Sequence, residues 1–224
     1  MIRFSLEAEI IEPKNNEEIK KAIILLHGYG GDGKDISMLS YNWKRHLSNT
    51  IIICPNGHEK CSLNPNGYQW FDLSSNDENF ILNESLKAEI KLNYFLEEIK
   101  NKFNLKNNDI CISGFSQGCM MSLNIGLTSS EEYNSIIGFS GKIINKADLS
   151  KRIKSKSNVL IIHGEYDTVV QPHFLLDTKD FLIRNKINVE AKIIKNCEHS
   201  IPIEASSIAL NFIKKNLYKD LNKN

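Results

Sequence analysis

The segment Gly114-Phe115-Ser116-Gln117-Gly118 sets a serine between two glycines in the spacing Gly-x-Ser-x-Gly. Five residues carry little alone, but their setting carries more. The segment follows the apolar run Ile110–Ser113 and opens a helical pattern, so Ser116 falls on a strand-to-helix corner. At so sharp a corner neighbouring backbones come close together, which explains the glycines sterically. The hydroxyl is then presented in a strained, exposed conformation suited to attack on an acyl carbon. The competing reading is an ordinary turn with a helix-capping serine.

A serine hydroxyl is a weak nucleophile at neutral pH and needs a base, and the base needs a group to orient it. His199, in Cys197-Glu198-His199-Ser200, lies between the last expected strand and a helix starting near Pro202. Asp167 follows the strand Val159–Ile162 after a short Gly-containing loop, with Glu165 and Asp148 as competitors. The order Ser116, Asp167, His199 suits a triad whose members all sit at strand ends. His27 and His163 precede glycines in tight strand exits, and His46, His58 and His173 have helix or loop settings. The oxyanion formed during acyl transfer needs preorganised N–H donors. One is expected from Gln117, at the start of its helix, and a second from the loop His27-Gly28-Tyr29-Gly30-Gly31. That loop lacks the Gly-Lys-Ser/Thr of a phosphate cradle and the spacing of a dinucleotide fingerprint.

These residues must be held by strands and helices. Apolar, β-branched runs at Ala22–Leu26, Thr50–Cys54, Asp109–Ser113, Ser135–Phe139, Asn158–Ile162 and Val189–Ile194 read as strands, buried on both faces of a parallel sheet. Leu82, Leu86, Ile90, Phe95, Ile99 and Phe103 recur at helical spacing, with Glu98 and Lys102 placed for an ion pair. Further helices are expected over Gln117–Leu127, Phe174–Leu182 and Pro202–Leu217, and Ile2 to Ile10 alternates like an edge strand. The order predicts an α/β fold with a mostly parallel, doubly wound sheet and helices on both faces, with ligands bound at the carboxyl ends of the strands.

The 224 residues, with 41% hydrophobic and 25% charged, fit one domain over 1–224. The net charge of +1 argues against a nucleic-acid partner. Runs such as Ile23–Leu26 are far too short to span a bilayer, and Glu7, Glu9 and Glu12 interrupt any leader-like segment, so a cytoplasmic protein without stable membrane insertion is expected. Cys54, Cys61, Cys111, Cys119 and Cys197 show neither disulfide nor zinc spacing, and no cofactor or metal is expected. Lys214, Lys215, Lys219 and Lys223 read as the solvated face of the last helix.

Four stretches together resemble the phospholipase/carboxylesterase family of α/β-hydrolases, which includes the acyl-protein thioesterases. They are Leu26 to Gly31, Gly67 to Asp72, Gly114 to Met121 and His163 to Val170. The resemblance implies a Ser116, Asp167, His199 triad and oxyanion amides from Tyr29 and Gln117. It also implies that Trp70 and Phe71 border the acyl side of the site, although large aromatics read alone favour the core. Val169 and Val170 are further candidates for the wall. Cys197 departs from the small residue expected beside the catalytic histidine. About eighteen residues from Gly141 to Asn158 leave no room for a large cap, which suits small-molecule or lipid ester substrates. Homo-oligomers occur in the family, so a homodimer is admissible. The expected activity is that of a serine carboxylesterase, with lysophospholipase or acyl-thioesterase as the alternative. A metal-dependent hydrolase, a non-catalytic binding homologue and a peptidase are the rivals.

Overall fold

The computed structural model describes residues 4–14 and 17–218. Its strands are β1 (Ala8–Ile11), β2 (Lys21–Leu26), β3 (Thr50–Pro55), β4 (Glu59–Lys60), β5 (Tyr68–Gln69), β6 (Ile110–Phe115), β7 (Ser135–Phe139), β8 (Asn158–Gly164) and β9 (Val189–Ile194). Its helices are α1 (Gly33–Ser37), α2 (Ser40–Lys44), α3 (Glu78–Phe103), α4 (Gln117–Thr128), α5 (Lys146–Arg152), α6 (His173–Arg184) and α7 (Ile203–Leu217). Seven strands form one sheet in the order β1-β3-β2-β6-β7-β8-β9, and β4 and β5 form a separate small hairpin. Within the seven-stranded sheet only β1 runs antiparallel, pairing Ile10 with Ile53 of β3. Every other ladder of that sheet is parallel.

Continuous apolar strands follow from burial on both faces. In β2, Ile24 and Leu26 join Leu92, Phe95 and Met121 of α3 and α4, whereas Ile23 and Leu25 face Trp43 of α2 and Phe212 and Ile213 of α7. A third cluster joins Ile136, Val159 and Ile161 to Leu123, Leu149 and Leu182 of α4, α5 and α6. The molecule is therefore an α/β fold with a mostly parallel central sheet and helices on both faces. The loops leaving β2, β6, β8 and β9 consequently emerge along one edge, where ligands bind in such sheets.

Some expectations change. α3 starts earlier than its apolar pattern, because Asp77 caps it by accepting from the Phe80 N–H at 2.8 Å. Glu98 does not pair with Lys102; it accepts from the Ser5 N–H at 2.9 Å and the Ser5 hydroxyl at 2.5 Å. The edge strand is confined to Ala8–Ile11, and Ile2 lies outside the described residues. Pro202 caps α7 rather than entering it. Lys214 and Lys215 are exposed on α7, while Lys219 and Lys223 lie outside the described residues. Between β7 and β8 stands only the seven-residue α5. No helix of the described residues is long and apolar enough to cross a membrane.

Candidate active site

Ser116 sits between β6 and α4 with φ 54° and ψ −116°, a conformation disfavoured for a residue with a Cβ. Its surroundings impose it. The Ser116 N–H donates to the Phe139 carbonyl at 2.8 Å, tying the corner to β7. A Cβ on Gly118 would lie 2.2 Å from the Leu26 carbonyl oxygen, and one on Gly114 would lie 2.3 Å from the Gly118 carbonyl. The two glycines thus let α4 start hard against β2.

His199 comes from the β9–α7 loop and Asp167 from the β8–α6 loop. His199 Nε2 is 3.0 Å from Ser116 Oγ, and Nδ1 is 2.7 Å from Asp167 Oδ2. The Phe115 ring packs on the imidazole, with centroids 4.7 Å apart. The other Asp167 oxygen accepts from the Val169 and Val170 amides at 2.9 and 2.8 Å. Burial alone raises this carboxyl's pKa, but the His199 contact and the two amides outweigh it and hold the group below the ordinary carboxylate value. Asp167 stays ionised and fixes the proton on His199 Nδ1, which leaves Nε2 free to accept from Ser116. Glu165 turns elsewhere and accepts from the Asn196 N–H at 3.0 Å; Asp148 pairs with Arg152. Of the three acids considered, only Asp167 reaches His199.

Two other histidines brace the site. His27 is buried, with Nδ1 2.7 Å from the Gly28 carbonyl and Nε2 accepting from the Gly57 N–H at 2.8 Å. This pairing assigns the proton to Nδ1, and burial lowers the pKa. His163 Nε2 donates to the Val170 carbonyl at 2.6 Å, and burial lowers its pKa too. Both hold strand-exit loops rather than reaching Ser116. The glycine loop is also pinned to β5, through Gly30 N–H to Tyr68 carbonyl at 2.9 Å and Tyr68 N–H to Gly31 carbonyl at 2.8 Å. Gly28 faces Ser116, since a Cβ there would lie 3.3 Å from that of Ser116. Among the hydrogen bonds of the described residues, the amides of Tyr29 and Gln117 have no protein acceptor.

A cavity of about 630 Å³ opens over Ser116, bordered by Gln117, Tyr29, Phe71, Val169 and Val170. Trp70 is not on its wall. Its indole lies one layer behind, 5.2 Å from the His27 ring, and its Nε1–H donates to the His27 carbonyl at 2.9 Å. Met120, Ile81 and Phe174 also border the cavity and were not foreseen. Met120 could have been, because it lies one helical turn beyond Ser116. Lys142 reaches the same cavity with its ammonium 4.5 Å from the Phe174 ring centre. Cys197 is buried, its thiol 3.3 Å from the Glu198 carbonyl, so the position beside His199 accommodates a side chain. Among the described residues, no group of three or more His, Cys, Asp or Glu could hold a metal ion.

Residues 6–217 match the family model described as Phospholipase/Carboxylesterase. Acyl-protein thioesterase 1 of Saccharomyces cerevisiae is 28% identical over 214 residues, covering 88% of this chain and 93% of that one. The crystal structure of esterase PE8 superposes with a TM-score of 0.90 at 33% identity, covering 95% of this chain and 99% of that chain. Acyl-protein thioesterase 2 of Zea mays shares the fold at a TM-score of 0.75 and 22% identity, covering 94% and 99% of the two chains.

Proposed function

The chain belongs to the phospholipase/carboxylesterase family of ester-cleaving hydrolases, and from that premise we propose that it is a serine carboxylesterase working through Ser116, His199 and Asp167. The observation that carries this reading is the unbroken chain from Ser116 Oγ to His199 Nε2 at 3.0 Å and from His199 Nδ1 to Asp167 at 2.7 Å.

The steps follow from that chain. Ser116 Oγ attacks the acyl carbon while its proton passes to Nε2. The carbonyl oxygen becomes an oxyanion, with the Tyr29 and Gln117 amides free to receive it and the α4 N-terminus favouring its charge. Collapse breaks the bond to the leaving group, which takes the Nε2 proton and departs. Water then attacks the acyl-serine by the same route, releasing the acid and restoring Ser116. A thiolate is a better leaving group than an alkoxide, so a thioester depends less on the proton from His199.

The resemblance to acyl-protein thioesterases supports thioester hydrolysis as a second reading of the same site. The test is kcat/KM on matched acyl esters, acyl thioesters and lysophospholipids, with Ser116→Ala as control and fluorophosphonate labelling of Ser116. Ester turnover that disappears in Ser116→Ala supports the proposal. Unchanged turnover in that variant, or its loss in chelator, overturns it, and absence of both labelling and turnover favours a binding homologue.

A further inference from the structure

A second cavity, of about 540 Å³, also borders His199. Gly28, Tyr29, Phe115 and His199 border both cavities, whereas Ser116 and Gln117 border only the first. We propose that this second cavity receives the leaving-group side of the substrate, and that it selects an uncharged, apolar alcohol or thiol over one that carries phosphate. The inference rests on the esterase reading above and names the substrate class of that site.

The geometry divides the substrate. The acyl carbon bonds to Ser116 Oγ, so the acyl chain belongs in the cavity that Ser116 borders. The leaving atom must take its proton from His199 Nε2, and beyond His199 the chain continues through Ser200 and Ile201 into the second cavity. Its chemistry then sets the preference. Ile36, Met38, Leu39, Ile201 and Ile203 supply apolar surface, and Met38 and Ile203 are 65% and 78% exposed. Apolar side chains left in water beside a reactive centre gain when a hydrophobic group covers them. Asp35 is the sole acid among the described lining residues, and no lysine or arginine is among them. A phosphate would enter with no lysine or arginine to meet it and the Asp35 carboxylate to oppose it. The acyl cavity differs here, because a lysine, Lys142, borders it together with Glu78.

The experiment holds the acyl group constant as butyrate and varies the alcohol: ethanol, butanol, hexanol and glycerol 3-phosphate. Rates are compared as ratios within one enzyme preparation, which cancels any loss of folded protein. The expected kcat/KM rises by about two- to fourfold per added methylene until the cavity is filled, and the phosphorylated ester is the poorest substrate. Ile203→Ser and Met38→Ser should each lower the hexyl-to-ethyl ratio several-fold. Asp35→Asn, whose carboxylate lies at an exposed position, should raise the ratio of phosphorylated to ethyl ester at low salt. Hydrolysis that ignores alcohol length and charge, in wild type and variants alike, overturns the inference alone. Hydrolysis of none of these esters above the Ser116→Ala background overturns the esterase reading and the inference with it.

Discussion

The side chain of Gln117 clamps Trp70. Its Oε1 accepts from the Trp70 N–H at 2.8 Å, and its Nε2 donates to the neighbouring Phe71 carbonyl at 2.7 Å. One residue thus offers its own amide to the proposed oxyanion and ties down the segment that backs the glycine loop. Trp70 continues the tie through its indole to the His27 carbonyl.

Gln117→Ala keeps the backbone amide but orphans two buried groups, each worth about 1–3 kcal/mol. Thermal unfolding should fall by about 10 °C. The remaining activity should show a loss of kcat rather than a rise in KM, because the site is loosened and not blocked. An unchanged melting temperature would show that the clamp contributes nothing.

Asp167→Asn can still accept from the Val169 and Val170 amides but presents an NH₂ to His199 Nδ1. The imidazole must then carry its proton on Nε2, facing Ser116, and kcat should drop on the order of 10⁴-fold. Glu165→Gln should stay close to wild type. Steady-state kinetics on the pair check the assignment, and the opposite ranking would transfer the role to Glu165.

Acid should destabilise the fold in two stages. Burial lowers the pKa of His27 and His163 below the ordinary 6.5, so the unfolded chain takes up protons first as pH falls. Their contribution is complete above pH 6.5 and declines below it, toward their lowered folded values. Asp167, held below 3.8, adds a loss only at still lower pH. Melting temperatures recorded from pH 7 to 5 should therefore decline, and His163→Gln, which retains a donor for the Val170 carbonyl, should flatten the slope.

Gly118→Ala places a methyl group 2.2 Å from the Leu26 carbonyl oxygen and 2.6 Å from that of His27, both of them backbone atoms. Neither can swing aside, so the cost should reach or exceed about 3 kcal/mol, with activity abolished. Circular dichroism melting and an ester assay report the two effects. A fully active Gly118→Ala enzyme would show that α4 does not depend on this close approach.

The residues of the proposed triad were legible as strand-end positions because a parallel sheet delivers its strand exits to one edge, so Ser116, Asp167 and His199 could be expected near one another from what preceded them. Short polar elements were not legible. Gly33–Ser37 and Lys146–Arg152 are helices with too few apolar positions to show a period, and the β4–β5 hairpin consists of two-residue strands. Trp70 and Phe71 show a further limit. Both are large, apolar and adjacent, yet one backs a loop and the other borders a cavity. The difference lies in a distant acceptor, the His27 carbonyl, which no local pattern reveals. The bracing by His27 and His163 likewise depends on Gly57 and Val170, partners brought close by the fold.

The backbone of Ser116 also links reactivity to folding. A φ of 54° with a side chain attached persists only because β7 and the two flanking glycines enforce it. A relaxed chain abandons that conformation and with it the exposed presentation of the Ser116 hydroxyl. With Ser116 as the proposed nucleophile, covalent capture by a fluorophosphonate should work as a clock for refolding: the label is expected to accumulate only as β6, α4 and the β2 exit come into register, at a rate that reports when the last of these contacts closes.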